Sequence, residues 1–182
     1  MVRDGYRLLT TLLVALSAGM AFCHLLEMPV RLGYPAELWI RVTVTEATYR
    51  YFGAPVGAAI ESGAWLTAVG LAFLSRGQGW TFRLTAAGAV LAVAAHAVWW
   101  LWVQPVNSEM AGWSPDAIPL LFDAARAQWE AAHTARAALF VAALGALIAA
   151  AIGAAPHRPP AHPEGGGMSP APRSRPEKVT TR

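Results

Sequence analysis

The sequence alternates between long apolar stretches and shorter polar connections. Four stretches, at about residues 7–28, 54–75, 84–103 and 134–155, are rich in Ala, Leu and Val. Each approaches the roughly 20 residues that a helix needs to cross about 30 Å of hydrocarbon. The pattern therefore predicts an all-α fold, a four-transmembrane-helix bundle that occupies residues 1–155.

The connections between these stretches differ in length and composition. Residues 75–83 form a short connection, which predicts that the second and third helices are antiparallel neighbours. Residues 35–52 mix aromatic, charged and β-branched side chains, and their periodicity does not decide between an interfacial helix and a short strand. Ser114, Pro115 and Asp116 are typical of a helix start, so we expect the fourth helix to begin outside the membrane.

Composition supports a membrane protein over two alternatives. The chain is 55% hydrophobic and only 14% charged, which is more apolar than an ordinary soluble domain. A soluble bundle with unusually apolar helices is one alternative. The other is a cleaved signal peptide, because Arg3 and Arg7 precede the first apolar run. Cys23 is the only cysteine, so no disulfide can form within the chain. We predict a multi-pass protein of the cell membrane.

The distribution of Lys and Arg predicts the orientation. If the N-terminus is cytoplasmic, nine of these cations lie on the cytoplasmic side and five on the other. Cytoplasmic connections carry the excess of Lys and Arg, so both termini are expected there. Residues 156–182 are rich in Pro and Gly and predict a disordered basic tail. Its positive charge fits attraction to anionic lipids and indicates no nucleic-acid partner.

Ionisable residues interrupt the four apolar stretches or lie at their edges. A charged side chain in lipid costs several kcal/mol unless it faces a partner, a cavity or an ion. In the predicted orientation all of these residues fall within roughly 12–15 Å of the outer surface, at about 1.5 Å of rise per residue. They therefore predict a polar pocket near the outer face. The residues are His24, Glu27, Glu61, His96, Glu130 and His133.

A metal site is one interpretation of this set. His24 and Glu27, like Glu130 and His133, are three residues apart and share a helix face. The arrangement partly matches the di-metal bundles in which two helices each supply a Glu-x-x-His pair. Iron, manganese, copper or zinc would suit such ligands, and a haem is a further alternative. The candidate metal ligands are His24, Glu61, His96, Glu130 and His133.

A structural role is the other interpretation. Glu61 would hydrogen-bond to His96 and fix the packing of two helices, a contact worth about 0.6–2 kcal/mol in membranes. Glu27 and Glu130 would then lie in the headgroup layer and pair with Arg31 and Arg136.

Short motifs at the ends of the third and fourth stretches resemble a known family. Pro105, Val106 and Asn107 follow the third stretch, and Trp129, His133 and Arg136 lie on one face of the fourth helix. These motifs, together with the four stretches, resemble a family of small four-helix membrane proteins that includes the fungal anthrone oxygenases. The resemblance implies oxidation of a phenolic, polycyclic anthrone-like substrate by O₂, with no bound cofactor.

The resemblance also implies roles for individual residues. His133 or His96 would be the base that removes an acidic C–H proton, since the pKa of a histidine lies near operating pH. Glu61 would orient or polarise this base. Arg136 or Asn107 would stabilise the enolate oxygen. Three tryptophans would form aromatic walls for a flat substrate. They are Trp65, Trp99 and Trp129.

The leading prediction is therefore oxygenase-like chemistry on, or binding of, a lipophilic aromatic small molecule. Two other function classes stay open. The protein could be a non-enzymatic membrane partner subunit or a homo-oligomer whose polar layer only fixes helix packing. It could also be a metal-binding or haem-binding four-helix membrane protein.

Overall fold

The computed structural model describes residues 2–47 and 49–154. Within these residues the chain is helical and contains no strand. The four long helices are α1 (Val2–Leu32), α3 (Val56–Leu74), α4 (Trp80–Val98) and α6 (Phe122–Gly153). Two shorter helices, α2 (Ala36–Ile40) and α5 (Gln104–Met110), lie in the connections. The predicted disordered tail lies outside the described residues.

Four helical segments are long and apolar enough to cross a membrane, which confirms that part of the prediction. They are Val2–Leu32, Arg50–Leu74, Trp80–Met110 and Phe122–Gly153. Each extends about one turn or more beyond its predicted stretch at one end or both, and the fourth begins at Phe122 instead of near residue 134. The orientation of the termini stays a prediction.

The four long helices form a closed bundle. Helix α1 packs against α3 and α6, and α4 also packs against α3 and α6. Small side chains dominate the contact surfaces, which lets the helix backbones approach closely where no hydrophobic effect drives association. Larger side chains fill the remaining space. The core contains Val14, Ala18, Ala21, Ala64, Leu71, Ala92, Ala95, Ala137, Phe140, Ala143 and Leu147.

Gly88 lies where α4 packs most closely on α6. A Cβ atom at this position would lie 2.9 Å from Cγ of Leu147 and 3.2 Å from the backbone oxygen of Ala143. We expect Gly88→Ala to lower the free energy of unfolding by about 1–2 kcal/mol, because overpacking outweighs the gain in helix propensity. Thermal unfolding in detergent, followed by circular dichroism, measures the change.

Gly145→Ala is the matched control, because nothing lies within 4 Å of a Cβ atom added at Gly145 of α6. This variant should be neutral or stabilising by up to about 1 kcal/mol. Equal stability of the two variants would contradict the close α4–α6 contact.

The two long connections fold over one end of the bundle and form a cap, defined as residues 33–47, 49–55 and 104–121. Residues 36–40 are helical, residues 41–45 form a π-helical turn and residues 50–52 a 3₁₀ turn, so this segment is helical and not a strand. Trp39 and Ile40 are fully buried in the cap. They pack with Val103, Val106, Met110, Phe122 and Trp129 in a second core.

The predicted helix start at Ser114–Asp116 is wrong, because α6 begins at Phe122. Ser114 and Ala117 instead form an isolated β-bridge. Pro119 accounts for the delay, since a proline disfavours helical backbone at the preceding residue. The amide of Phe122 then donates to the carbonyl oxygen of Pro119 at 3.1 Å, which leads into the helix.

Candidate functional site

A cavity of about 480 Å³ lies between the cap and the adjoining parts of α1, α3 and α6, with Trp99 just beyond the end of α4. Cavities of roughly 300–1,000 Å³ accommodate drug-sized ligands. Met20 and Ala21 of α1 and Val44 and Met110 of the cap form apolar parts of the wall. The polar and aromatic parts of the wall include His24, Tyr49, Arg50, Glu61, Trp99, Asn107, Trp129, His133 and Arg136.

Two stacked imidazoles lie at the wall of this cavity. His24 comes from α1 and His133 from α6, and their ring centroids are 4.2 Å apart with an interplanar angle of 25°. Both side chains are buried. Nδ1 of His24 and Nε2 of His133 are buried without a hydrogen-bond partner among the described residues. Trp129 contacts both rings edge to face.

Arg136 orients the His133 ring. Its Nη1 lies 3.4 Å from Nδ1 of His133, and a guanidinium can only donate. Nδ1 therefore accepts, so the proton of the neutral imidazole is assigned to Nε2. Nε2–H of His133 is thus a donor without a partner among the described residues. This arrangement suits an oxygen atom of a ligand as the acceptor.

Glu61 and Arg136 form a buried ion pair between α3 and α6. Nη2 of Arg136 donates to Oε1 of Glu61, and both side chains are less than a tenth exposed. In a bundle of apolar helices each charge needs the other, because removal of either partner leaves an uncompensated buried charge. The carboxylate of Glu61 therefore has Arg136 as its partner. Its predicted role toward a catalytic histidine stays a prediction.

Arg31 joins α1, α6 and the cap, and its side chain is only 2% exposed. Its Nε and Nη2 donate to the two carboxylate oxygens of Glu130 at 2.9 and 2.7 Å. Nη1 donates to Glu27 at 3.2 Å, and Nη2 also donates to the backbone oxygen of His24 at 2.9 Å. Such bidentate pairs are strong and directional. Arg31 therefore fixes the backbone that carries His24.

Tyr49 connects the cap to this arginine. Its hydroxyl donates to Oε2 of Glu27 at 2.6 Å, and its ring centroid lies 4.8 Å from that of His24. Burial, followed by the hydrogen bond to the Glu27 carboxylate, raises the pKa of the Tyr49 phenol. Tyr49 therefore stays protonated and holds the cap on the imidazole pair.

His96 and Trp65 do not line the cavity. Nε2 of His96 accepts from Nε1 of Trp100 at 2.9 Å. Its Nδ1 lies 3.8 Å from Oε2 of Glu61, beyond hydrogen-bond distance. The ring of Trp65 is 5.7 Å from that of His96. These two residues form a group beside Glu61, so the geometry favours His24 over His96 as the partner of His133.

Asn107 positions a tryptophan. The Pro105–Asn107 segment lies in α5, and Oδ1 of Asn107 accepts from Nε1 of Trp129 at 3.0 Å. The two motifs that carry the family resemblance are thus in direct contact. Asn107, Trp129 and Trp99 all line the cavity, and their role in binding a substrate stays a prediction.

The carboxylates of the alternative metal set are engaged by arginines. Glu61 pairs with Arg136 and Glu130 with Arg31. The part of the chain that the structure describes contains no group of three or more His, Cys, Asp or Glu side chains that could hold a metal ion. The geometry therefore favours ion pairs at these two carboxylates.

Two residues of the site were not singled out from the sequence. Arg31 was considered only as a local ion pair, although its position four residues after Glu27 and seven after His24 places all three on one helix face. Tyr49 lies in a segment without clear periodicity, and nothing in the sequence marked its contact with His24.

Comparisons of this chain with protein-family models, with curated proteins and with solved structures gave no match. The resemblance to the anthrone oxygenases therefore depends on the sequence motifs alone.

Proposed function

We propose that this protein binds a flat, lipophilic aromatic molecule in the cavity and oxygenates it with O₂ without a bound cofactor. The observation that carries the proposal is the composition of the cavity wall. Two stacked imidazoles, a guanidinium and aromatic side chains meet there in a space of about 480 Å³. A base beside donors for a developing oxyanion is what proton abstraction next to a carbonyl needs.

Each group has a part in the proposed reaction. His24 takes the proton from an acidic C–H group of the substrate. The Nε2–H of His133 and the guanidinium of Arg136 donate to the carbonyl oxygen as negative charge develops on it. Glu61 keeps Arg136 in place. The two tryptophans of the wall, Trp99 and Trp129, would contact the faces or edges of the ring system.

The chemistry balances with O₂ as the only co-reactant. The delocalised carbanion forms a C–O bond with O₂, and the resulting peroxide loses water to leave a ketone. A CH₂ group and O₂ thus give C=O and H₂O. The carbon is oxidised by four electrons, which O₂ accepts, and the two hydrogens leave in the water. The proton held by His24 returns to the departing oxygen.

We also infer that the protein is a four-pass component of the cell membrane with both termini in the cytoplasm. The excess of Lys and Arg on the side of the N-terminus supports this orientation. The cap and the cavity then lie at the outer face. A lipophilic substrate would reach the cavity from the outer leaflet or from the outer aqueous phase.

Replacement of His24 tests the base. Wild-type protein in phosphatidylcholine nanodiscs should convert anthrone to anthraquinone faster than empty nanodiscs, measured by absorbance and with an oxygen electrode. We expect His24→Gln to lower the protein-dependent rate by about 100-fold or more, because glutamine cannot take up a proton.

His96→Gln is the matched control, since His96 does not line the cavity. It should retain most of the rate, whereas His133→Gln should lose much of it. A wild-type rate equal to that of empty nanodiscs would overturn the proposed activity. A rate lost in His96→Gln but retained in His24→Gln would overturn the assignment of the base.

A further inference from the structure

The charged residues that line the cavity do not balance. Arg50 and Arg136 are cationic, whereas Glu61 is the one anionic residue among the described residues of the wall. Glu27 and Glu130 do not line the cavity. With neutral histidines the wall therefore carries one excess positive charge. An anionic group on a ligand would balance this charge.

Arg50 is the source of this excess. Arg136 is paired with Glu61, and the buried Arg31 behind the wall is paired with Glu130. Arg50 has a neutral partner instead. Its Nη2 donates to the hydroxyl of Tyr51 at 2.7 Å, and its Cζ lies 4.7 Å from the Tyr51 ring centroid. No carboxylate in the described part of the chain pairs with it.

The position of Arg50 places this charge at the entrance. Arg50 is exposed and also lines the cavity, so it lies where the cavity meets the protein surface. The same wall also contains apolar side chains of α1, Met20 and Ala21. A ligand that matches both parts has an apolar ring system and one anionic group at its edge.

We infer that the preferred ligand of this cavity is an aromatic monoanion whose anionic group binds to Arg50. A carboxylate or an ionised phenol provides that group. A guanidinium matches a carboxylate with two parallel N–H···O bonds, which makes the contact directional as well as electrostatic. The inference rests on the proposed function, because it names the substrate class of the same cavity. Arg50 is accordingly a residue that determines specificity and takes no part in proton transfer.

Two fluorescent probes of almost the same shape test the inference. Anthracene-9-carboxylate carries the anionic group, and anthracene-9-methanol is its neutral counterpart. Both are titrated against wild-type protein in nanodiscs of phosphatidylcholine alone, so that no anionic lipid competes for the cation. We expect Arg50→Gln to weaken binding of the carboxylate by about tenfold, as for the loss of a charge-assisted hydrogen bond. Binding of the methanol should change less than twofold.

Two further variants sharpen the result. Arg41→Gln removes an exposed arginine from the same segment that does not line the cavity, and it should leave both affinities unchanged. Arg50→Lys keeps the charge but loses the planar fork, and it should retain part of the preference for the carboxylate.

The outcomes distinguish this inference from the function on which it rests. If both probes bind but Arg50→Gln changes their affinities equally, or not at all, the inference of an anionic ligand is wrong. The proposal that the cavity binds an aromatic molecule would still hold. If neither probe binds to the wild-type protein, the proposed function falls together with the inference. A loss of carboxylate binding in Arg41→Gln that equals the loss in Arg50→Gln would point to general surface charge and overturn the role of Arg50.

Discussion

Arg31→Leu is expected to lower the free energy of unfolding by about 3–5 kcal/mol, the usual cost of removing one partner of a buried ion pair. Glu130, which is 4% exposed, would lose both hydrogen bonds from the guanidinium. Glu27 would lose a partner as well, but its side chain is 45% exposed and water can replace the contact. Chemical unfolding in a fixed detergent, followed by circular dichroism, measures the change.

A double variant separates the ion pair from the rest of the packing. Arg31→Leu combined with Glu130→Leu removes both charges and should recover at least half of the lost stability, because apolar side chains often replace a buried pair at little cost. Arg41→Leu is the control for loss of an exposed arginine and should change stability by about 0.5 kcal/mol or less. Equal stability of Arg31→Leu and Arg41→Leu would contradict a stabilising ion pair between Arg31 and Glu130.

Four helices long and apolar enough to cross a membrane could be predicted from hydropathy, whereas the ends of these helices could not. Twenty consecutive apolar residues have few alternatives to a spanning helix. The ends depend on tertiary contacts that hydropathy does not detect. Helix α1 ends at Leu32, and the residue before it, Arg31, binds Glu130. Helix α6 begins at Phe122, whose ring packs on Trp39 in the cap.

The polar layer could be predicted, but not its pairing. Their depth along the four stretches predicts that His24, Glu61 and His133 lie near one another, and all three line the cavity. The partners of the carboxylates were not predictable, since Glu130 pairs with a residue 99 positions away and Glu61 with one 75 positions away. Those pairings depend on the rotation of each helix about its axis. A helix that is apolar on all sides carries no stripe from which to derive that rotation.

Local contacts explain why His96 does not line the cavity. Its depth in the third stretch matches that of Glu61, and Nδ1 of His96 lies 3.8 Å from Oε2 of Glu61. Trp100, one helical turn further on, nevertheless supplies the hydrogen bond of His96. A neighbour four residues away forms this contact at little entropic cost, whereas a contact between helices requires both rotations to agree.

Replacing Glu61 and Arg136 together by methionine is expected to leave the bundle folded and to lower the protein-dependent rate of anthrone oxidation by about 100-fold to 1,000-fold. The stability should change little, because two apolar side chains of similar volume replace a matched pair of buried charges. The rate should fall because no guanidinium remains to donate to the developing oxyanion, and loss of one such donor has effects of this size. Circular dichroism and the oxygen electrode measure the two quantities on one sample.

The single variant Arg136→Met shows why both residues must be replaced. Arg136→Met alone leaves the carboxylate of Glu61, which is 7% exposed, buried without its guanidinium, and it should cost about 3–5 kcal/mol of stability as well as activity. The lower rate of this variant would therefore combine the effect of partial unfolding with the effect on the reaction itself. In the double variant the unfolding contribution is removed, so the remaining loss of rate measures what Arg136 does for the reaction. A double variant that is folded and oxidises anthrone at the wild-type rate would restrict the pair to a structural role between α3 and α6.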